Sequence, residues 1–269
     1  MSNDTFETEV AAGERFRFGR NWASFLAHLD DDRIAEAERS LKGFLGLESL
    51  SGKRWLDVGS GSGIFSLAAR RLGATVHSFD FDPDSVGCTQ GLRERFRPGD
   101  AGWTVERGSV LDPDYLAALG AFDFVYAWGV LHHTGSMWQA IDNVTRIVAP
   151  GGRLWLMLYL DRGWISAFWL RVKKIYCSGT AGRALIVGVF FPYYSLRYLL
   201  EDLLRLRNPR ARYREYRRQR GMSMTHDWID WLGGYPFEVA RPFEVNAFCR
   251  ERGLALERYR KAEYLFRRD

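Results

Sequence analysis

Cysteine is scarce in this 269-residue chain, and its three residues, Cys88, Cys177 and Cys249, form no Cys-x-x-Cys pair. This argues against a disulfide framework or a structural zinc site, and it favours a reducing compartment. No His, Cys and Asp residues have the spacing of metal ligands, so we expect no metal. The longest run without Lys, Arg, His, Asp or Glu, 184–196, has 13 residues, whereas a membrane span needs about 20. The first residues, MSNDTFETEV, lack the basic and apolar regions of a secretory signal. We therefore expect a cytoplasmic protein that is soluble or peripheral to a membrane.

Charge is divided unevenly along the chain. Residues 151–269 carry 23 Lys and Arg against 12 Asp and Glu, a balance of +11, whereas residues 1–150 carry 15 against 21, a balance of −6. Within the basic part, Glu215 is the only acid in a run of eight arginines: Arg205, Arg207, Arg210, Arg212, Arg214, Arg217, Arg218 and Arg220. Such a run is either a solvated helix or a docking surface for phosphate, on a lipid headgroup or a nucleic acid.

Hydrophobic periodicity predicts strands that alternate with helices. The expected strands are 54–58, 74–79, 103–107, 122–127 and 154–160, followed by a terminal pair, 254–260 and 263–267. The expected helices are 20–45, 64–72, 84–96, 113–119 and 138–148. This alternation is typical of an α/β protein with a parallel sheet and right-handed crossovers.

A glycine-rich turn, Leu56-Asp-Val-Gly-Ser-Gly-Ser-Gly63, follows the first strand. Glycines between a strand and a helix let the backbone approach a ligand at a helix N-terminus, which favours negative groups. The dinucleotide fingerprint would put its third glycine at position 64, where this chain has Ile64. Asp57 suits a cationic amine better than a pyrophosphate. A nicotinamide cofactor is therefore the minority interpretation.

Two acids follow the second strand in the sequence Phe79-Asp-Phe-Asp-Pro83. A carboxylate at this strand end can accept hydrogen bonds from both hydroxyls of a ribose. Either acid could instead cap the helix that starts near Pro83. We assign Asp80 to the ribose and Asp82 to the cap.

Together the segments LDVGSGSG (56–63), FDFDP (79–83), RGSVLD (107–112), FDFVYAWGVLHH (122–133) and PGGRLWL (150–156) resemble class I S-adenosylmethionine-dependent methyltransferases. They are most similar to the small-molecule group that includes the ubiquinone-biosynthesis methyltransferases. The resemblance covers about residues 50–160 and the terminal strand pair. It implies a Rossmann-like seven-stranded sheet of order 3-2-1-4-5-7-6, with helices on both faces and a helical insertion before the last two strands. The implied methyltransferase core is 1–160 with 254–269, and 161–253 is a basic, aromatic-rich insertion.

The resemblance also implies the cofactor, S-adenosyl-L-methionine, and its contacts. Asp57, Gly59 and Gly61 are expected to hold the methionine moiety, and Asp80 the ribose hydroxyls. The remaining contacts are Phe81 on the adenine face, Ser109 and Val110 at the adenine edge, and Trp128 near the methionine or the methyl. The family often has an acid at the position of Ser109. Asp112 could take the place of that acid, but we do not favour this assignment. For Phe81 and Trp128 ordinary core packing is the alternative.

Methyl transfer to a hydroxyl or an amine benefits from a base. His133 follows the fourth strand at the ligand-binding edge, and His226 precedes Asp227 in the aromatic segment 224–238. These two histidines are the candidate catalytic residues, and hydrogen bonds to the backbone are the alternative for both.

The insertion 161–253 is too long for a simple connection. We expect a helical lid that forms the pocket of a small-molecule acceptor, and a lipid-facing surface is the alternative. The predicted activity is methyl transfer to a small molecule, on a hydroxyl oxygen, by in-line displacement. The alternatives are an RNA, protein or lipid-linked acceptor, or a binding protein without catalysis. No acidic-polar-polar-aromatic tetrad follows the fourth strand, which argues against nucleic acid.

Overall fold

Seven strands form one sheet, and their order β3-β2-β1-β4-β5-β7-β6 confirms the order that the resemblance implies. The structure is a computed structural model, and it describes residues 3–26, 29–208, 212 and 224–269. Strands β1 to β5 run parallel, and β7 pairs antiparallel with both β5 and β6. The strands are β1 (Arg54–Val58), β2 (Thr75–Asp80), β3 (Trp103–Arg107), β4 (Phe122–Trp128), β5 (Val148–Met157), β6 (Leu254–Arg260) and β7 (Glu263–Arg268).

Helices cover both faces of this sheet. They are α1 (Asn3–Ala11), α2 (Gly19–Leu26), α3 (Asp31–Leu45), α4 (Ile64–Arg71), α5 (Pro83–Phe96), α6 (Pro113–Leu119), α7 (Met137–Arg146), α8 (Trp164–Cys177), α9 (Thr180–Leu204), α10 (Met224–Gly233) and α11 (Pro242–Arg250). Within the described ranges, every helix is too short or too polar to cross a lipid bilayer.

Two hydrophobic clusters show how the sheet is covered. On one face Leu41 of α3 and Leu67 of α4 are fully buried with Trp55 of β1. On the other face Ile141 of α7 and Val245 of α11 are fully buried against the sheet. Because both faces carry apolar side chains, the central strands are nearly continuous hydrophobic runs.

Two predicted elements differ from the structure by more than two residues, and the other predicted bounds lie within two residues of the observed ones. The predicted helix 20–45 is two helices, since Asp30 begins α3 by accepting a hydrogen bond from the Arg33 amide. The predicted strand 154–160 begins earlier and ends sooner, at Val148 and Met157. Its early start includes a register irregularity opposite Phe122, so the regular pairing begins at Arg153.

The segment between β5 and β6 folds into helices α8 to α11. Val172, Tyr176, Ile186 and Leu232 of the first three form a small cluster of their own, against which Phe16 packs. The fourth helix, α11, packs on the sheet. These helices and the N-terminal segment therefore adjoin the edge where the parallel strands end.

Candidate active site

The glycine turn is held to the end of β2 by backbone hydrogen bonds. Gly59, Gly61 and Gly63 have φ values of 69°, 55° and 78°, a left-handed conformation that glycine adopts without steric cost. The Gly59 amide donates to the Phe79 carbonyl at 2.8 Å, and the Gly61 amide donates to Asp80 Oδ2 at 3.0 Å. The turn thus places its backbone beside the acid that ends the second strand.

Asp57 is a buried carboxylate directly before this turn. The side chain is 2% exposed, and its Oδ2 accepts a hydrogen bond from the Ser66 hydroxyl of α4. Burial raises its pKa to about 7, and the charge of Asp80 adds to that shift. Among the described residues, no cationic side chain pairs with Asp57. A bound cation would therefore stabilise its ionised form.

The two acids after β2 have separate roles. Asp82 caps α5, as predicted, by accepting from the Asp84 amide at 2.9 Å, and its other oxygen accepts from the Gly19 amide at 2.8 Å. Asp80 accepts from the amides of Gly61 and Asp82. Burial raises the pKa of Asp80 to about 6. Its side chain stays partly exposed, which leaves it accessible to a ligand hydroxyl.

The loop after β3 joins the same edge, since the Gly108 amide donates to the Asp80 carbonyl at 3.1 Å. Ser109 and Val110 are both buried, and the Ser109 hydroxyl accepts from the Leu111 amide. Asp112 caps α6 by accepting from the Tyr115 amide. Its carboxylate is therefore engaged in the helix cap.

The N-terminal segment lies across the site. Trp22 of α2 approaches the turn so closely that a Cβ at Gly61 would lie 3.0 Å from Trp22 Nε1. The Arg15 guanidinium lies 4.9 Å from the Phe81 ring centre and donates to the His133 carbonyl at 3.1 Å. Sequence reasoning missed Arg15, because nothing in the pattern of residues 12–18 connects them with the sheet edge.

Phe81 and Trp128 differ in their surroundings. Phe81 packs edge-on against Phe6 of α1, with ring centres 5.6 Å apart, and Arg107 lies on its ring as well. Trp128 is 42% exposed at the end of β4, although its neighbour Ala127 is fully buried. An exposed indole at this strand end leaves an apolar surface free for a ligand.

His133 is a neutral imidazole beside this edge. Its Nδ1 lies 2.6 Å from the Pro236 carbonyl oxygen. Because a carbonyl only accepts hydrogen bonds, Nδ1 carries the proton and Nε2 keeps its lone pair. Burial, together with the charges of Lys173 and Arg15, lowers the pKa of His133 to about 3. His133 therefore stays neutral over the whole physiological pH range, and its Nε2 can accept a hydrogen bond from a ligand.

The other histidines near the site differ from His133. His132 is fully buried against Tyr159, and burial holds its pKa well below the usual value. His226 lies in α10, but its side chain is outside the described residues, and so is His28. The structure thus brings one of the two candidate bases, His133, to the strand ends.

Polar contacts join the inserted helices to the N-terminal segment and to one another. Asn21 of α2 donates to Asp230 of α10, whose pKa burial raises to about 7. Lys173 of α8 is fully buried, donates to the Trp231 carbonyl and lies 4.5 Å from the Trp231 ring centre. No sequence signal distinguishes Lys173 from its neighbour Lys174, so this contact could not be predicted.

A cavity of about 410 Å³ separates the N-terminal segment from the inserted helices. Its walls combine three arginines with apolar and aromatic side chains: Arg15, Arg17, Arg183, Phe16, Tyr176 and Ile229. Arg15 forms an ion pair with Glu9, and Arg17 forms one with Glu7. Neither glutamate lines the cavity. The cavity is suited to an apolar or aromatic molecule that carries an acidic group.

A family model described as a methyltransferase domain matches residues 29–231, three quarters of the chain. The chain belongs to this family. It is a class I S-adenosylmethionine-dependent methyltransferase by fold and family, as the resemblance in the sequence predicted.

Curated methyltransferases match shorter parts of the chain. The tRNA U34 carboxymethyltransferase of Methylococcus capsulatus is 36% identical over 115 residues, which cover 42% of this chain and 34% of that protein. A ubiquinone biosynthesis O-methyltransferase of a Caulobacter species is 28% identical over 143 residues, 51% of each chain. The chain thus aligns with about a third to a half of the length of these relatives.

Solved structures support the fold over most of the chain. Magnesium protoporphyrin IX methyltransferase from Synechocystis, with S-adenosylhomocysteine bound, has a TM-score of 0.51 at 13% identity and covers 88% of this chain and 83% of its own. An O-methyltransferase family protein from Burkholderia thailandensis also has a TM-score of 0.51, at 15% identity. The alignment covers 97% of this chain and 67% of that protein.

The cofactor of this methyltransferase family is S-adenosylmethionine, and the residues at the strand ends fit it. Asp57 offers a buried carboxylate for a cation, and Asp80 offers oxygens for hydroxyl groups. Gly61, at φ 55°, lets the turn pass under the Trp22 indole, where a Cβ would press on the ring. A cationic ligand with vicinal hydroxyls is complementary to this set of groups.

Proposed function

We propose that this methyltransferase transfers a methyl group from S-adenosylmethionine to a hydroxyl oxygen of a small molecule. The observation that carries the proposal is the position of His133, a neutral imidazole whose Nδ1–H is held by the Pro236 carbonyl beside the cofactor edge. The name of the Caulobacter relative, an O-methyltransferase, agrees with transfer to oxygen.

We assign the cofactor contacts to the residues that meet at the strand ends. Asp57 holds the cationic methionine end together with the backbone of Gly59 and Gly61. Asp80 accepts the ribose hydroxyls through its partly exposed carboxylate. The adenine lies by Phe81, Ser109 and Val110, and Trp128 lines the path to the methyl. Arg15 borders this adenine site, since its guanidinium lies on Phe81.

When bound, S-adenosylmethionine supplies a methyl group on a sulfonium sulfur, a good leaving group. The protein holds the acceptor oxygen in line with that methyl, which is the main source of rate in such a displacement. His133 Nε2 would accept the proton that the acceptor hydroxyl gives up when its oxygen takes the methyl group, with S-adenosylhomocysteine as the leaving group. The side chains of Phe18 and Tyr159 pack on the His133 ring and keep it in place.

The acceptor region is the insertion 161–253, which we propose acts as the lid and substrate part beside the methyltransferase core. The arginine-lined cavity lies where this insertion meets the N-terminal segment. Asn21 and Asp230 tie the two parts together at one wall. We therefore propose a phenolic or other hydroxylated acceptor that also bears an acidic group. A lipid-linked acceptor is the second candidate, because helix α9 exposes an apolar face.

To test this proposal, the purified protein and S-adenosylmethionine are incubated with fractionated metabolite extract. In a parallel arm they are incubated with total tRNA. We expect release of S-adenosylhomocysteine with one small molecule, whose mass rises by one CH₂ group. The control is the Asp80→Ala variant, which should release none. Methyl transfer that occurs only in the tRNA arm and is destroyed by ribonuclease would replace the small-molecule proposal with an RNA substrate.

Asp57 should make cofactor affinity depend on pH. Because its pKa of about 7 lies above the 3.8 of an ordinary aspartate, the ligand-free protein binds a proton there that a cationic ligand displaces. Lowering the pH from about 7.5 to about 5.5 should therefore weaken S-adenosylmethionine binding about 25-fold. Calorimetry in two buffers of different ionisation enthalpy measures the affinity and the released proton. The Asp57→Asn variant should bind more weakly and lose the pH dependence near 7, leaving the part near 6 that Asp80 contributes.

A further inference from the structure

Helix α9 exposes an apolar stripe along most of its length. The stripe consists of six side chains, each at least half exposed: Leu185, Val189, Tyr193, Leu196, Leu200 and Leu203. Their spacing of four, four, three, four and three residues keeps them within about 80° around an axis with about 3.6 residues per turn. No charged side chain lies within this stripe. A contiguous row of exposed apolar side chains is typical of a docking site.

The side of α9 next to the stripe packs against the rest of the protein. Ile186 is buried in the cluster of the inserted helices. Phe190 packs on Trp169 of α8, with ring centres 5.5 Å apart, and Tyr194 packs on Trp228 of α10 at 5.2 Å. Because these contacts fix the orientation of α9, the stripe faces outward.

The neighbouring helix α8 adds aromatic rings to the same helical pair. Trp164 is 79% exposed and Phe168 is 46% exposed, and both precede the two-residue connection 178–179 to α9. Of the 16 large apolar side chains exposed in the described residues, 12 lie between 164 and 206. The exposed apolar side chains are thus concentrated on helices α8 and α9.

The segment that contains the stripe has a strongly basic sequence. Residues 161–223 contain 14 Lys and Arg against four Asp and Glu, an excess of ten positive charges. Arg171 and Lys174 of α8 and Arg205 and Arg207 after α9 are exposed. A second copy of the chain would bring like charges together, whereas an anionic bilayer meets both the apolar stripe and the cations.

We propose that helices α8 and α9 dock flat on the surface of an anionic lipid bilayer. The α9 stripe and Trp164 enter the boundary between headgroups and acyl chains, and the flanking arginines and lysines meet the headgroup phosphates. This docking does not depend on methyl transfer.

The test is co-sedimentation of the full chain with vesicles. One set is phosphatidylcholine alone, and the other is an equal mixture of phosphatidylcholine and phosphatidylglycerol. We expect binding to the mixed vesicles at about 0.1 M salt, and weaker binding at about 1 M salt, where the Debye length falls from about 10 Å to about 3 Å. Equal binding to both vesicle types, or none to either, would overturn the proposal.

Two variants distinguish vesicle binding through the stripe from nonspecific vesicle binding. The double substitution Leu196→Ser with Leu200→Ser should weaken vesicle binding at least tenfold, since it removes apolar surface from the stripe without adding charge. The matched control is Phe243→Ser on α11, a side chain that is 65% exposed but lies outside the α8–α9 pair, and it should bind as the unaltered protein does. Equal losses in both variants would contradict the proposal.

Light scattering tests the competing occupant, a second copy of the chain. Docking on lipid predicts that the double variant and the unaltered protein have the same mass in solution. A dimer that the double variant abolishes, combined with no vesicle binding, would assign the stripe to self-association instead.

Discussion

The Asp80→Ala variant should bind S-adenosylmethionine about 100-fold more weakly than the unaltered protein. Hydrogen bonds to a charged group contribute about 1.5 to 3 kcal/mol each, and the proposed ribose site has two of them. The carboxylate that would make them lies at the end of β2 and is held by the amides of Gly61 and Asp82. Equilibrium dialysis or calorimetry measures the loss.

Loss of folding is a separate outcome that stability measurements detect. The raised pKa of Asp80 means that its ionised form costs stability in the ligand-free protein. The substitution also removes the acceptor of the Gly61 and Asp82 amides, so the melting temperature of the variant is measured alongside its affinity. The matched control is Asp123→Ala at the start of β4, where the carboxylate accepts from the Arg54 amide at the opposite edge of the sheet. Equal affinities of both variants and the unaltered protein would show that the ribose does not lie at Asp80.

The parts of the fold that follow from local pattern could be predicted from the sequence. Strands β1 and β3 have their predicted bounds, because each is a short apolar segment between turn residues. The capping role of Asp82 followed from its position directly before Pro83, where the fixed φ of proline favours the first turn of a helix. The order of the seven strands came from the family resemblance, since spacing alone does not determine which strands are neighbours.

The parts that depend on distant contacts could not be predicted. Arg15 and Trp22 reach the glycine turn and Phe81 across more than 35 residues of sequence, and no periodicity carries that information. The same holds for Asn21 and Asp230, which are 209 residues apart. Within α9, the sequence shows where the apolar side chains lie. Only the structure shows that Phe190 and Tyr194 pack inward and leave the other stripe exposed.

His133→Ala should lower kcat about 100-fold and leave the affinity for S-adenosylmethionine unchanged. General bases contribute about 10² to 10⁴ in rate, and a base is most effective when its pKa is near the working pH. We expect the lower end because burial holds the pKa of His133 at about 3. The acceptor found in the extract screen is the substrate for this measurement. The matched control is His77→Ala, whose ring lies on β2 and pairs with Glu106.

A glutamine substitution, rather than the pH profile, distinguishes a base from a residue that only shapes the pocket. A histidine with a pKa of about 3 stays neutral above pH 5, so kcat at saturating cofactor should show no acid limb from His133 between pH 8 and pH 6. The His133→Gln variant keeps an amide donor for the Pro236 carbonyl and should restore the pocket but not the rate. Full recovery of kcat in His133→Gln would assign His133 to positioning, because glutamine cannot accept the proton.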